Sequence, residues 1–405
     1  MRKLRSNEVF KPGAFPQHTY VSRMSADFPV TYEFRLEQAL QTVGFLTSII
    51  GPSKTGKTVL CEKVIGLDKM ISLTGNDFKN STNFWLTIAN KVGLSLVGEQ
   101  TETNSMQGKG MAGVTESKSS SITEKYQTGK DRVIDFFKEH DLVLVLDDFH
   151  TAPEEMQFDM AYQLKDAIRK EFKAIVISLP HRADDAIRKN PDLSGRLSLI
   201  NIEPWQEAAL KEIATTGFKA LAVEITDEMA NQLARESILS PQLMQSICLN
   251  LALLLHVDKD KDEQPHEITD KAQLELAYRV TSINFPYDDV VKKLTAGPPT
   301  RGQKRKTYEL PSGNQADIYH LIMRAIALDP PIISITIDEL KKRIDLLFEE
   351  KTDKPDRKKI KDAIEQVQGI ISDSDVFYQV FEWKDEQIYI LDPIFLFYLR
   401  WGVAV

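Results

Sequence analysis

The sequence contains little cysteine: only Cys61 and Cys248 occur among its 405 residues. Two isolated cysteines exclude a disulfide framework and a metal cluster built on cysteine spacing. Each lies in an apolar pattern at helical spacing. We therefore expect both to be buried, reduced thiols.

Long apolar runs are also missing. The N-terminal stretch "MRKLRSNEVF" is charged with no apolar segment behind it, and the apolar C-terminal stretch is interrupted by Asp392, Pro393 and Arg400. Neither pattern fits a signal peptide or a membrane span. The sequence predicts a cytoplasmic protein that does not enter a membrane.

An excess of positive charge is absent as well. The formal net charge is -8, from 51 Lys and Arg against 59 Asp and Glu. This balance argues against a protein that coats nucleic acid with its whole surface, but it allows a local basic patch. A composition of 42% hydrophobic and 27% charged residues is that of an ordinary globular protein with two or three domains.

What the sequence does contain is a series of short apolar runs that alternate with amphipathic helical patterns. The runs are "FLTSII" (45–50), "MISLTG" (70–75), "LVLVLD" (142–147), "AIVISL" (174–179) and "LSLINI" (197–202). Continuous apolar runs separated by helices are typical of a parallel sheet that is covered on both faces. We predict an α/β fold with a parallel sheet of about five strands.

Composition and periodicity suggest the domain boundaries. We predict an N-terminal arm (1–30), an α/β core (31–203) with a polar insertion (98–130), a helical lid (204–283), a basic linker (284–314) and a winged-helix domain (315–405). The winged helix is indicated by three helical patterns followed by a β-hairpin. The insertion is either a flexible surface loop or a polar β-hairpin.

The segment "GPSKTGKT" fits the P-loop pattern at every fixed position, and it lies between a strand and a helix as the motif requires. Backbone N–H groups and the helix N-terminus would then bind phosphate groups. Lys57 would reach the β- and γ-phosphates, and Thr58 would be a ligand of Mg²⁺. The predicted nucleotide-binding residues are Gly51, Pro52, Ser53, Lys54, Thr55, Gly56, Lys57, Thr58 and Val59.

The segment "LVLVLDDFH" (142–150) places two carboxylates at the end of an apolar strand. Asp147 is the expected second magnesium-side residue, and Asp148 would act as base or orient the attacking water. The alternative is that Asp148 is only a solvated strand end. An aspartate is one methylene shorter than a glutamate, which would favour slow turnover. His150 has no assigned role.

Three further polar residues are candidates for contacts with phosphate. His181 and Arg182 follow the fourth predicted strand, where a side chain could sense the γ-phosphate. Arg196 precedes the fifth strand, where it could reach the nucleotide of a neighbouring subunit as an arginine finger. The alternative for all three is a solvated surface charge.

Taken in order, these features resemble AAA+ ATPases and their STAND relatives over roughly residues 16–400. The order is a P-loop, a strand ending in Asp-Asp, a sensor strand, an arginine before the fifth strand, a helical lid and a winged helix. The chain is similar to origin-recognition and helicase-loader ATPases, and "DDFH", "PHRADD" and "PW" followed by a lid resemble ATPases of bacterial antiviral defence. The resemblance implies a P-loop NTPase that uses ATP or ADP with Mg²⁺ and forms oligomers.

The resemblance also implies two sets of contacts. The arm would pack on the adenine, with Tyr20 and Arg23 as the expected contacts. The lid of such proteins commonly carries a sensor arginine, but here Gln242 of "SPQL" stands at that place. A lid-borne charge contact is therefore in doubt.

Two basic clusters raise the possibility of DNA binding. One is in the third predicted helix of the winged helix (Arg357, Lys358, Lys359 and Lys361), and the other is in the linker (Arg301, Lys304, Arg305 and Lys306). Such residues can contact phosphates, but the helix also carries interleaved acids and can simply be a solvated face.

Three hypotheses follow. The leading one is an ATP- and Mg²⁺-dependent switch that hydrolyses ATP slowly and controls self-assembly into a homo-oligomer or a separate effector protein, with a role in antiphage defence. The second is a DNA-binding AAA+ ATPase of the loader or transposition-regulator type. The third is an interaction scaffold that binds nucleotide only for stability.

Overall fold

The computed structural model describes residues 4–25, 28–79, 83–95, 129–179, 193, 195–258, 266–300, 302, 304–349, 352–372 and 380–402. The chain divides into two compact units. We call Ser22–Pro52 with Lys57–Glu203 the sheet unit, and Met1–Val21 with Ser53–Gly56 and Pro204–Val405 the helical unit. The division between the two units falls after Val21, whereas the arm was predicted to end at residue 30, and the predicted lid, linker and winged helix fall in the helical unit.

The described residues form helices and strands in the following order along the chain. The first are α1 (Ser6–Val9), α2 (Tyr32–Gln41), β1 (Leu46–Ile50), α3 (Lys57–Ile65), β2 (Met70–Thr74), α4 (Phe84–Lys91), α5 (129–139), β3 (Val143–Asp147), α6 (Glu154–Arg169), β4 (Ala174–Ser178) and β5 (Leu197–Asn201). The rest are α7 (Glu207–Ala220), β6 (Val223–Ile225), α8 (Asp227–Glu236), α9 (Pro241–Leu254), β7 (His266–Ile268), α10 (Lys271–Ile283), α11 (Asp288–Ala296), β8 (Thr307–Glu309), β9 (Gln315–Asp317), α12 (Ile318–Ala327), β10 (Ser334–Thr336), α13 (Ile337–Asp345), α14 (Arg357–Ser372), β11 (Phe381–Lys384), β12 (Gln387–Ile390) and α15 (Pro393–Trp401).

The sheet unit is built on a five-stranded parallel sheet in the order β2-β3-β4-β1-β5. Alternate residues of β3 enter two separate hydrophobic cores: Leu144 and Leu146 one, Val143 and Val145 the other. Successive side chains of a strand point to opposite faces, so both faces of the sheet are covered. The predicted α/β fold and all five predicted strands are confirmed.

The helical unit includes the N-terminal arm as an integral part. The buried side chain of Gln245 in α9 donates to the Thr19 hydroxyl at 2.7 Å and accepts from the backbone N–H of Lys11 at 3.0 Å. Thr19 in turn donates to the carbonyl of Val9 at 3.1 Å. These buried hydrogen bonds, with the buried side chain of Phe10, make the arm part of the hydrophobic core.

The middle of the helical unit is mostly helical, as predicted, with one addition. Strands β6 and β7 form a short parallel pair, Val223–Ile225 with His266–Ile268. Three-residue strands are too short to establish an alternating pattern, and for this reason the sequence did not reveal them.

The C-terminal part has the element order predicted for a winged helix. Helices α12, α13 and α14 accompany a three-stranded antiparallel sheet in the order β10-β12-β11. The segment 284–314, expected as a linker, contains α11 and β8. One face of α11 is buried and carries Val290, Val291 and Leu294. Their helical spacing is a signal for this helix in the sequence, but the neighbouring turn residues and basic cluster obscured it. No helix in the described parts of the chain is both long and apolar enough to cross a membrane.

A buried ion pair joins α8 to α15 within the helical unit. The guanidinium of Arg400 donates to both carboxylate oxygens of Glu236, at 2.7 and 3.1 Å, and both side chains are only 7% exposed. The indole of Trp401 donates to the same carboxylate at 2.9 Å, and Arg400 also donates to the carbonyl of Ala327 at 2.8 Å. Each charge is therefore compensated inside the protein.

We expect Glu236→Gln to lower the free energy of unfolding by about 2 to 3 kcal/mol, because it leaves the Arg400 guanidinium buried without its full counter-charge. Urea denaturation of the purified protein measures the change. The matched control is Glu228→Gln, which removes the exposed pair with Lys271 and should cost less than about 0.5 kcal/mol. Equal losses in the two variants would contradict this assignment.

Candidate functional site

The P-loop connects β1 to α3, as predicted, and Lys57 is the first residue of α3. The Lys57 side chain is 9% exposed, and its ammonium donates to the backbone carbonyls of Gly51 at 2.9 Å and Pro52 at 2.7 Å. A buried ammonium requires such acceptors. The lysine is thus held at the base of the loop by the loop's own backbone.

The next residue of the motif contacts the predicted magnesium-side carboxylate. The hydroxyl of Thr58 donates to Oδ2 of Asp147 at 2.6 Å. The two side chains come from α3 and from the carboxyl end of β3, which are 89 positions apart in the chain. The structure therefore brings together the two residues that the sequence predicted as magnesium ligands.

The oxygen atoms of this pair fit a hard cation such as Mg²⁺. Magnesium prefers oxygen ligands, keeps several water molecules and is usually held by one or two side chains together with substrate phosphates. No cluster of three or more His, Cys, Asp or Glu side chains suited to a metal occurs among the described residues. Thr58 and Asp147 are the residues that would hold a magnesium ion bound with the nucleotide.

Asp148 has an unusual backbone conformation. Its φ and ψ are 45° and 43°, in the left-handed region, and its backbone N–H donates to Oδ1 of Asp147 at 2.8 Å. Its carbonyl accepts from both the N–H and the hydroxyl of Thr151, each at 2.8 Å. A non-glycine residue in this region is strained and persists only where its surroundings fix it. The side chain itself is exposed.

Gly75 provides part of those surroundings. It follows β2, which pairs with β3 so that Thr74 lies opposite Asp147. A Cβ atom at Gly75 would lie 2.5 Å from the Thr151 hydroxyl oxygen and 2.7 Å from the Asp148 carbonyl oxygen. Only glycine lets the two turns approach this closely. No motif in the sequence marks Gly75.

We expect Gly75→Ala to lower the free energy of unfolding by about 1 to 3 kcal/mol, because the methyl group must displace the turn that holds Asp148. Urea denaturation measures the change. The control is Gly369→Ala, where an added Cβ meets nothing within 4 Å in helix α14, so that a gain of up to about 1 kcal/mol is expected. A Gly75→Ala variant as stable as the native protein would show that the turns are not tightly packed.

Cys61 lies beside the site on α3 and is completely buried, and Cys248 is buried in the helical unit. The prediction of two buried thiols is confirmed. Burial raises the pKa of the Cys61 thiol, and the charges of Asp147 and Glu62 raise it further. A thiol held protonated in this way is a packing residue, because the thiolate is the reactive form.

Ser178 is a further candidate for the site, and no motif in the sequence marks it. It ends β4, the strand between β1 and β3, and its side-chain hydroxyl is buried with no hydrogen-bond partner among the described residues. An unpartnered buried hydroxyl is costly and calls for a reason. The signal in the sequence was one polar residue at the end of the apolar run "AIVIS".

Arg196 lies at the amino ends of the parallel strands, opposite to the carboxyl ends where Asp147 and the start of the P-loop lie. Its carbonyl accepts from the N–H of Leu46 at 2.8 Å, at the amino ends of β1 and β5. Since β5 rises about 3.3 Å per residue, its two ends are roughly 13 Å apart. The P-loop follows the carboxyl end of β1, so Arg196 is not part of the site formed by Lys57, Thr58 and Asp147 in the same chain.

Some of the other residues predicted to contact the nucleotide lie outside the described residues. His181 and Arg182 lie outside the described residues, as does nearly all of the insertion 98–130, and the side chain of His150 is not described. Tyr20 stacks on Phe15 in the helical unit, with ring centroids 5.7 Å apart. Arg23, in the sheet unit, donates to the carbonyl of Glu203 at 3.0 Å and lies over the ring of Tyr32.

The basic residues at the start of α14 are largely in ion pairs. Arg357 pairs with Asp338 at 2.8 Å and Glu386 at 2.7 Å, and Lys361 pairs with Glu386 at 2.8 Å. The hydrogen bonds from Arg357 and then Lys361 lower the pKa of Glu386 to about 2, so this carboxylate stays ionised at neutral pH. Lys359 pairs with Asp356 at 3.1 Å.

Two residues of the basic cluster in the segment 284–314 are also in ion pairs. Arg305 pairs with Asp317 at 3.1 Å and also donates to the carbonyls of Ala296 and Pro298. Lys306 pairs with Asp353 at 2.5 Å. Arg301 lies outside the described residues, and Lys304 is exposed.

No protein-family model and no curated protein sequence matches this chain. Among solved structures, it is similar to Cdc6p from Pyrobaculum aerophilum, with 14% identity, 98% of this chain and 97% of that chain covered, and a TM-score of 0.43. A Walker-type ATPase of Pyrococcus abyssi gives 12% identity, coverage of 91% and 94%, and a TM-score of 0.46. The ORC2 protein of Aeropyrum pernix gives 12%, 92% and 92%, and 0.40. The fold assignment rests on the strand order and P-loop of this chain.

Proposed function

We propose that this protein is an ATP- and Mg²⁺-dependent molecular switch that hydrolyses ATP slowly. The observation that carries the proposal is the hydrogen bond between Thr58 and Asp147, next to the buried ammonium of Lys57. A hydroxyl at the start of a P-loop helix facing a carboxylate at a strand end is the arrangement that phosphoryl-transfer sites use to hold a nucleotide with its magnesium.

Each side chain has a defined part in the proposed reaction. The Lys57 ammonium exchanges the carbonyls of Gly51 and Pro52 for oxygens of the β- and γ-phosphates. Thr58 and Asp147 would hold a magnesium ion, which would neutralise phosphate charge. Asp148 accepts a proton from, or orients, the water that attacks the γ-phosphorus, and the bond from that phosphorus to the bridging oxygen breaks to give ADP and phosphate.

Two features support slow turnover. The Asp148 carboxylate is on a short side chain, and its reach depends on a strained backbone that a neighbouring turn holds in place. A displacement of about 1 Å at a catalytic group can reduce a rate by about 100-fold.

We expect Asp148→Asn to retain ATP binding and to lose hydrolysis by about 100-fold or more, because the amide cannot accept the proton from water. Lys57→Ala should instead lose binding of ATP. Binding of a fluorescent ATP analogue and release of phosphate, measured on the same samples, separate the two effects. Unchanged phosphate release by Asp148→Asn would remove this residue from the reaction, whereas a native protein that binds ATP and releases no phosphate would favour the scaffold hypothesis.

We propose that Arg196 acts on the nucleotide of a neighbouring subunit. Its position at the amino edge of the sheet supports action in trans, because the P-loop of its own chain lies beyond the opposite edge. A guanidinium delivered from outside stabilises charge that develops on the transferred phosphate. In this proposal turnover depends on self-assembly, and assembly depends on nucleotide.

We expect the specific ATPase rate to rise with protein concentration, and Arg196→Ala to reduce it by about 1,000-fold without weakening ATP binding, as for other arginine fingers. Phosphate release and light scattering over a series of protein concentrations test both statements. A specific rate that is independent of concentration and unaffected by Arg196→Ala would refute the action in trans.

The output of the switch is proposed to be self-assembly or control of a separate effector protein, with antiphage defence as the expected setting. The ion pairs of Arg357, Lys361 and Lys306 count against the alternative of a DNA-binding ATPase, because each cation already has a carboxylate partner. Phosphates would have to displace those partners. Retention of duplex DNA at low salt in the presence of ATP would favour the alternative.

A further inference from the structure

Trp205 forms a buried hydrogen bond to the tip of the P-loop. Its indole N–H donates to the backbone carbonyl of Thr55 at 2.8 Å, and the Trp205 side chain is 8% exposed. The tip of the loop, Ser53–Gly56, belongs to the helical unit, as does Trp205.

This hydrogen bond fixes the orientation of one peptide group. The Thr55 carbonyl and the Gly56 N–H belong to the same planar trans peptide, so they point in opposite directions. When the indole holds the carbonyl on one side, the Gly56 N–H is aimed to the other. In a P-loop the backbone N–H groups of this segment bind the phosphates.

The backbone of the tip needs such support. Lys54 and Gly56 both have positive φ, 61° and 87°, so the tip contains two residues in the left-handed region, of which one is not glycine. Strained backbone persists only where neighbouring groups fix it. The buried hydrogen bond from Trp205 to the carbonyl of Thr55, which lies between these two residues, can fix the backbone in this way.

We infer that Trp205 is a positioning residue for nucleotide binding: it holds the P-loop tip so that the Gly56 N–H faces the bound phosphates. The inference rests on the proposed function, because it assumes that the P-loop binds a nucleotide. Trp205 acts through Thr55 and Gly56 and does not touch the reacting atoms. Its loss therefore affects the bound nucleotide before and during the reaction alike.

The test is Trp205→Phe, which keeps an aromatic ring and removes the donor. We expect the KM for ATP and the Kd for ADP with magnesium each to rise about fivefold, the effect of one hydrogen bond. The kcat should stay within about twofold, because the interaction is equally strong in the ground state and the transition state. A merely structural role would lower the active fraction and leave the KM unchanged.

Trp85→Phe is the matched control. Trp85 is 5% exposed, and its indole donates to Oε1 of Gln163 in α6 at 3.0 Å, not to a residue of the P-loop. It loses the same kind of hydrogen bond from an equally buried ring. We expect a similar loss of thermal stability in the two variants, with the KM and Kd changed only in Trp205→Phe.

A second measurement keeps the test valid if Trp205→Phe does not fold. The chain has four tryptophans, so the protein labelled with 5-fluorotryptophan gives four ¹⁹F signals. Single substitutions of Trp85, Trp383 and Trp401 assign three of them, and the remaining signal is that of Trp205. We expect ADP with magnesium to shift the Trp205 signal in the native protein, and not in Lys57→Ala.

The outcomes separate the two claims. If the native protein binds ADP but Trp205→Phe binds it equally well, or if the Trp205 signal does not move on binding, the inference is overturned and the proposed function stands. If the native protein binds neither ATP nor ADP, the proposed function is overturned, and the inference with it.

Discussion

The parallel register of the five-stranded sheet is the constraint on which the candidate site depends. Parallel strands end at a common edge, so the residues that follow β1, β3 and β4 are neighbours however far apart they are in the chain. The P-loop, Asp147 and Ser178 come from these three strand ends. The same register places Arg196 at the amino ends of the strands. The parallel arrangement therefore brings the site residues together and keeps Arg196 of the same chain away from them.

Within the site, the backbone supplies much of what the side chains need. The Lys57 ammonium donates hydrogen bonds to two carbonyls of its own loop, and the Asp148 turn is held by Thr151 and by the close approach of Gly75. Groups fixed before the substrate arrives do not have to be ordered during the reaction. The strain in the Asp148 and P-loop backbones is the cost of that arrangement.

In the helical unit, buried arginine side chains donate hydrogen bonds to backbone carbonyls. Arg343 and Arg400 are buried, and their guanidinium groups donate to carbonyls near the end of α12, including that of Ala325 at 2.7 Å and that of Ala327 at 2.8 Å. Burial lowers the pKa of Arg343, although an arginine remains charged. Of the cations that the sequence suggested for a DNA surface, Arg305, Arg357 and Lys361 pair with carboxylates of the protein.

The sequence by itself determined the local features: the five strands, the P-loop between β1 and α3, the two buried cysteines and the element order of the C-terminal part. Apolar period, turn residues and a motif of fixed spacing are short-range properties, so they can be read along the chain. Only the tertiary structure decided which distant groups meet. The contact of Thr58 with Asp147, the pairing of Arg357 with Glu386, and the role of Gly75 and Trp205 depend on how strands and helices pack. No spacing in the sequence encodes a distance between residues that the fold alone brings together.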